Sequence, residues 1–172
     1  MMDGVEPEFS ELSPYRTTPV AQSVFSVNTI SQPIDLARLV AARHGLAPEL
    51  VCAVCEQESA WQIYAIRPEE GFFHKYIHPA NVAKPTTEEL LESWSYGLMQ
   101  VMGKVARERG FKGRYLTELF EPATNLEIGC KHLAVKLAVA NGDVHSALQR
   151  WNGGGAPNYG AQVMARMAKY SA

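Results

Sequence analysis

The chain has 172 residues, of which 47% are hydrophobic and 20% charged, and a formal net charge of −2. This is ordinary globular composition in an amount suited to one domain; it excludes a disordered or fibrous chain and gives no reason to expect a nucleic-acid partner. No apolar run is long enough to cross a membrane, and a chain of this length buries enough surface to fold without disulfides or bound metal.

Residues 1–30 are rich in Ser, Thr, Pro and Glu and carry no periodicity, so they read as a flexible arm ahead of one folded domain, 31–172. Asp3, Glu6, Glu8 and Glu11 stand there against Arg16, leaving the remainder near neutral. Acids occupy the place where a secretion signal has bases, and no hydrophobic stretch follows. The expectation is a protein that stays in the cytoplasm until it is released or carried out on a larger particle.

The first helix is expected over Ile34–His44, with Pro33 in its first turn, Leu36, Leu39 and Val40 on one side, and Gly45 ending it. Pro48 opens a second, nearly all apolar until Glu56, which therefore runs through the core to about Ser59. Residues 62–86 are irregular and aromatic, with Tyr64, Phe72, Phe73 and Tyr76, and have room for a minor β-hairpin or flap. A short polar helix is expected at Thr87–Glu92, an amphipathic one at Leu98–Arg109 closed by Gly110, and a short one at Tyr115–Phe120. Pro122–Ala140 is long, with Leu126, Cys130, Leu133 and Leu137 at helical spacing. Asp143 caps the next helix, to Trp151; a Gly153–Gly155 loop and a last helix, Asn158–Tyr170, follow. The fold class is mostly α, about seven helices in a single domain, with no repeat.

Cys52 and Cys55 have the C-x-x-C spacing, but they lie in an apolar helix without a second pair, and Cys130 leaves an odd count. Small buried thiols are the expectation, not a redox or zinc site. His74 and His78 stand four apart without the glutamate of a zinc-protease helix, so no metal and no cofactor is expected. The glycine loop lacks the lysine and preceding strand of a phosphate loop.

Glu58 stands out on physical grounds. It closes an apolar helix, where partial burial and the negative end of the helix dipole both disfavour the carboxylate. A carboxyl held protonated near neutral pH serves as a general acid. Glu56, two residues earlier, turns to another face.

Five short motifs extend this point. Glu58-Ser59, Ser95-Tyr96-Gly97-Leu98-Met99-Gln100, Asn125-Leu126 with Gly129, Ala147 to Trp151-Asn152-Gly153, and Tyr159 before Val163 occur in one order from Pro33 to Tyr170. The sequence resembles the Slt-type lytic transglycosylases of the lysozyme-like superfamily, and Ala65-Ile66-Arg67 with Trp94–Gly110 resembles the versions carried by phages and prophages. It departs from them at Trp151, where the family has Tyr, and in a longer gap between Glu58 and Gly97.

The resemblance implies a lysozyme-like fold and a reaction on peptidoglycan glycan strands. The β-1,4 bond between N-acetylmuramic acid and N-acetylglucosamine is cut without water, and the muramoyl 6-hydroxyl attacks its own anomeric carbon to leave a 1,6-anhydro end. It makes Glu58 catalytic, first acid and then base. It assigns substrate contacts to Ser59, Gly97, Leu98, Met99, Gln100, Trp151, Asn152 and Tyr159. Ser59 either hydrogen-bonds near the carboxyl or fixes the helix end. Gln100 and the Met99 backbone hold an acetamido group, or Met99 is plain core. Asn152 contacts the acetamide, orients Glu58 or shapes its turn, Tyr159 tunes Glu58 or is core, and Asn125 braces the long helix. The expected partners are the cell wall and phage virion or lysis proteins, with a monomer as the working unit. Two rivals stand beside this reading: a hydrolytic goose-type lysozyme with a second acid from residues 62–92, and a non-catalytic wall-binding or tail-assembly module.

Overall fold

A computed structural model describes residues 32–79 and 84–171. The arm expected at 1–30 lies outside the described residues. Helix α1, Pro33–Arg43, starts on a proline whose missing N–H costs nothing in the first turn, and it ends before Gly45 at φ +65°. Its packed face is Ala37, Val40 and Ala41, whereas Leu39 is 50% exposed. Of the expected Leu36–Leu39–Val40 side, only Leu39 is corrected: Val40 is fully buried and Leu36 packs against the core. Helix α1 packs on α2 (Pro48–Ser59), and the small buried Ala37 and Ala41 beside Val40 let helix backbones approach closely.

Helix α2 is the centre of the core: Val51, Cys52, Ala53, Val54 and Cys55 have no exposed surface. All three cysteines are free and buried, and burial pushes each thiol up, Cys130 to about 12. The helix stops abruptly, because Ala60 (φ +47°) and Trp61 (φ +66°) both take the left-handed conformation. That costs roughly 1–2 kcal/mol per non-glycine residue, which the surrounding packing must offset.

Three short strands follow: β1 (Ile66–Pro68), β2 (Trp94–Tyr96) and β3 (Val101–Met102), antiparallel in the order β1-β2-β3. Ile66 opposes Tyr96, and Tyr96 opposes Val101. Between β1 and β2 lie a helical turn, α3 (Glu70–Phe72), a π turn over Phe73–Ile77, and α4 (Thr87–Glu92), whose Thr86 and Glu89 form a reciprocal capping box. The expected hairpin within 62–86 is half right: β1 is there, but the tight hairpin is β2–β3, further on.

The helix expected at Leu98–Arg109 is also corrected. Only α5, Gly103–Glu108, is helical, because Val101–Met102 pairs with β2 and Gly97–Gln100 is a turn with left-handed ends, φ +66° at Gly97 and +46° at Gln100. A 3₁₀ turn over Leu116–Phe120 leads into α6 (Pro122–Val139), α7 (Val144–Trp151) and α8 (Tyr159–Met167). Asp143 caps α7 by accepting from the Ser146 amide at 2.7 Å. Helix α6 packs on α1 and α7, and α8 packs on α2 and α7, so the C-terminal ends of α2 and α7 meet α8. Among the described residues no helix is long and apolar enough to cross a membrane.

Candidate active site

The meeting point of α2, α7 and α8 holds Glu58. One carboxylate oxygen, Oε1, accepts from the Tyr159 hydroxyl at 2.6 Å and from the Trp151 indole Nε1–H at 2.9 Å. Two donors on one oxygen leave Oε2 as the atom to carry the acid proton. Burial raises the carboxyl above its ordinary value. The hydrogen bonds from Tyr159 and Trp151 and the charge of Arg67 pull it back in part, while Glu69 raises it further. The Trp151 indole N–H is thus one of the two donors that hold the carboxyl. Glu56 also lines the first cavity, but its carboxylate is taken up by Lys169 at 2.5 Å and the Tyr170 hydroxyl at 2.7 Å.

The turn between β2 and β3 closes on the end of α2. Ser59 Oγ donates to the Leu98 carbonyl at 2.8 Å as well as to Cys55, four residues back, so its hydroxyl locks the turn against the helix end rather than touching the carboxyl. From the other side Asn125, fully buried in α6, accepts from the Met99 amide at 2.8 Å and donates to the Tyr96 and Leu119 carbonyls at 2.7 and 2.9 Å. Gly97 is required there, since a Cβ would stand 2.7 Å from the Asn125 amide nitrogen. Gly129 leaves room in α6 for the Met99 side chain. Leu98 and Met99 are therefore core, fully buried, with the Met99 amide already engaged. Of the four residues Gly97–Gln100, only Gln100 lines open space, its amide braced by donation to the Ala65 and Gly97 carbonyls at 3.0 Å each.

Asn152 follows Trp151 at the end of α7. With its oxygen turned inward it accepts from the amides of Gly155 (3.2 Å) and Ala156 (2.6 Å), bracing the glycine loop. Beside this brace Gly153 and Gly155 line the groove without side chains.

Glu58, Arg67 and Gln100 are shared by two adjoining cavities of about 630 and 560 Å³. The first runs past Gln57, Gln62, Tyr64 and Ile66; the second passes Phe72, Tyr76, His132 and Trp151. The groove thus extends to both sides of the carboxyl.

Sequence reasoning left the far wall undefined. There the Glu69 carboxylate accepts from Arg67 (2.9 Å) and from Ser95 Oγ (2.6 Å), and it lines the second cavity with Glu58. Tyr76 and Tyr64 are 60% and 73% exposed, one in each cavity. His132 went unnoticed although it lies seven residues after Asn125, on the stripe that carries Asn125 and Gly129. His74 is exposed, and the His78 ring stacks on Phe73 at 5.8 Å.

Residues 35–170 match the family model described as the transglycosylase SLT domain. The chain belongs to that family. Its fold is similar to that of an inactive mutant of the lytic transglycosylase Slt from Pseudomonas aeruginosa, with a TM-score of 0.50 and 22% identity over 74% of this chain. The chain spans only 17% of the length of that Slt structure. No curated protein matches it significantly.

Proposed function

We propose that this member of the SLT family is a peptidoglycan lytic transglycosylase in which Glu58 is the single acid and base. The observation that carries the reading is the Glu58 carboxyl itself: raised toward the neutral form, clamped at Oε1 by Tyr159 and Trp151, and open to a groove on both sides. Two-carboxyl glycosidases protonate with one group and use the other as base or nucleophile. Here the muramoyl 6-hydroxyl replaces the outside nucleophile at high effective concentration, and the substrate's own acetamido group supports the electron-poor anomeric carbon. Glu58 gives its Oε2 proton to the glycosidic oxygen, then takes the 6-hydroxyl proton as that oxygen closes the anhydro ring. Gln100 and Asn152, at the edges of the groove, contact the sugars, and Trp151 presents an aromatic edge to them. The Slt structure supports the reading, since that protein is described as inactive after a Glu-to-Gln change.

Digestion of purified sacculi with mass analysis of the soluble muropeptides tests it. The expected products carry 1,6-anhydro ends; reducing ends in their place overturn the reading. One observation favours the hydrolytic alternative, namely a second carboxyl, Glu69, in the same cavity. Under hydrolysis Glu69→Gln removes turnover, whereas under the transglycosylase reading it leaves anhydro products as the main output. The setting we propose is phage lysis or entry, on the resemblance of Ala65–Arg67 and Trp94–Gly110 to phage-borne versions. Detection of the protein in purified virions or in host lysates decides between the two routes.

A further inference from the structure

His132 is 92% buried in the middle of α6, yet it lines the second cavity of the groove with Trp151 and Met102, its ring 5.4 Å from the indole. Its Nδ1 lies 2.9 Å from Arg109 Nε. A guanidinium only donates, so Nδ1 is the acceptor and the ring's one proton sits on Nε2. Among the described residues Nε2 has no protein partner. Nε2 is not one of the buried atoms left without a partner, so it keeps surface open to the groove, where a ligand oxygen can take the place of water. Burial, Lys136 and Arg109 all oppose a charge on the ring and hold it down at about 4, so it is a neutral donor across the working range.

We propose that His132 Nε2–H is a sugar-binding donor of the groove, fixed in that tautomer by Arg109 and aimed at an uncharged acceptor oxygen, an acetamido carbonyl or a hydroxyl, of the residue lying beside Trp151. The inference rests on the glycan-cleaving reading of the site and extends it to a specificity contact. Being neutral, the ring contributes direction without attracting anions, which suits a sugar oxygen better than a carboxylate. It sits beside the residue that holds Glu58, so the sugar it positions is close to the bond being cut.

Two isosteric substitutions separate binding from bracing. His132→Asn keeps an acceptor near the Nδ1 position for Arg109 and removes the outward donor. His132→Gln keeps a donor near Nε2 and gives up the Arg109 contact. Both are compared with wild type for sacculus turnover, for binding of the N-acetylglucosamine tetramer by calorimetry, and for thermal melting. Expected are a roughly three- to tenfold rise in KM and in the tetramer Kd for His132→Asn, with kcat within about twofold, and recovery of most of that loss in His132→Gln. The inference is overturned if His132→Asn binds and turns over like wild type, or if His132→Gln is the weaker of the two, since bracing alone then accounts for the histidine. Wild-type protein that releases no anhydro ends defeats the broader reading instead, and the tetramer titration still decides the role of His132.

Discussion

The two walls of the groove are built differently. The wall that carries Glu58 consists of helix ends from α2, α7 and α8, with the carboxyl held at Oε1 by Tyr159 and Trp151. The facing wall consists of three-residue and two-residue strands, a single helical turn and a π turn, with Tyr64 and Tyr76 standing in solvent. On the proposed function, a proton must be delivered within a fraction of an ångström, so the acid sits where packing fixes it, whereas gripping a repeating polymer tolerates a looser surface. The comparison predicts that changes in the first wall act on kcat and stability and that changes in the second act on KM.

Replacing Glu58, the proposed acid, is the severest test. Glu58→Gln is expected to lower kcat on sacculi by about 10³-fold while leaving tetramer binding near wild type. Its effect on stability has a sign. Burial raises the folded-state pKa of Glu58, so this group's contribution is intact at acid pH and is lost as pH rises through the folded value. The melting temperature of Glu58→Gln should therefore match wild type near pH 4 and exceed it above neutrality.

Tyr159→Phe removes a hydrogen bond that holds the Glu58 pKa down. We expect kcat to fall about tenfold and the alkaline limb of the rate profile to move to higher pH. A limb that stays in place means another group titrates.

Asn125→Ala leaves the Met99 amide and the Tyr96 and Leu119 carbonyls without that partner, and urea titration should show a loss of about 2–4 kcal/mol. The smallest effect is expected on the far wall. Tyr76→Ala should raise KM about threefold, with kcat and melting unchanged. If kcat falls instead, the division between the walls is wrong.

Much of the helical wall was legible in the sequence because its signals are local. Pro33, Pro48 and Pro122 start helices, Asp143 caps one, and the unbroken apolar run before Glu58 marks α2 as core. The turn at Gly97–Gln100 was not legible. Leu98, Met99, Val101 and Val105 fit a helical stripe, and what prevents the helix is a set of bonds from residues remote in sequence, Ser59 and Asn125. The two-residue strand β3 is too short to show alternation. The indole bond to Glu58 was hidden too, since a Tyr-to-Trp exchange announces a lost hydroxyl and says nothing of where the new N–H points. In α1 only Leu39 was misplaced: apolar by type, it turns to solvent while Ala37 and Ala41 fill the buried stripe beside Val40.

The chemistry of the three cysteines has a practical consequence. Every thiol of the chain lies in the core with its proton held firmly, so an alkylating reagent finds no native target on the folded protein. A single Lys75→Cys substitution, on an exposed position of the π turn, then becomes a unique attachment point for a fluorophore that reports glycan entering the groove, with no background from the rest of the molecule.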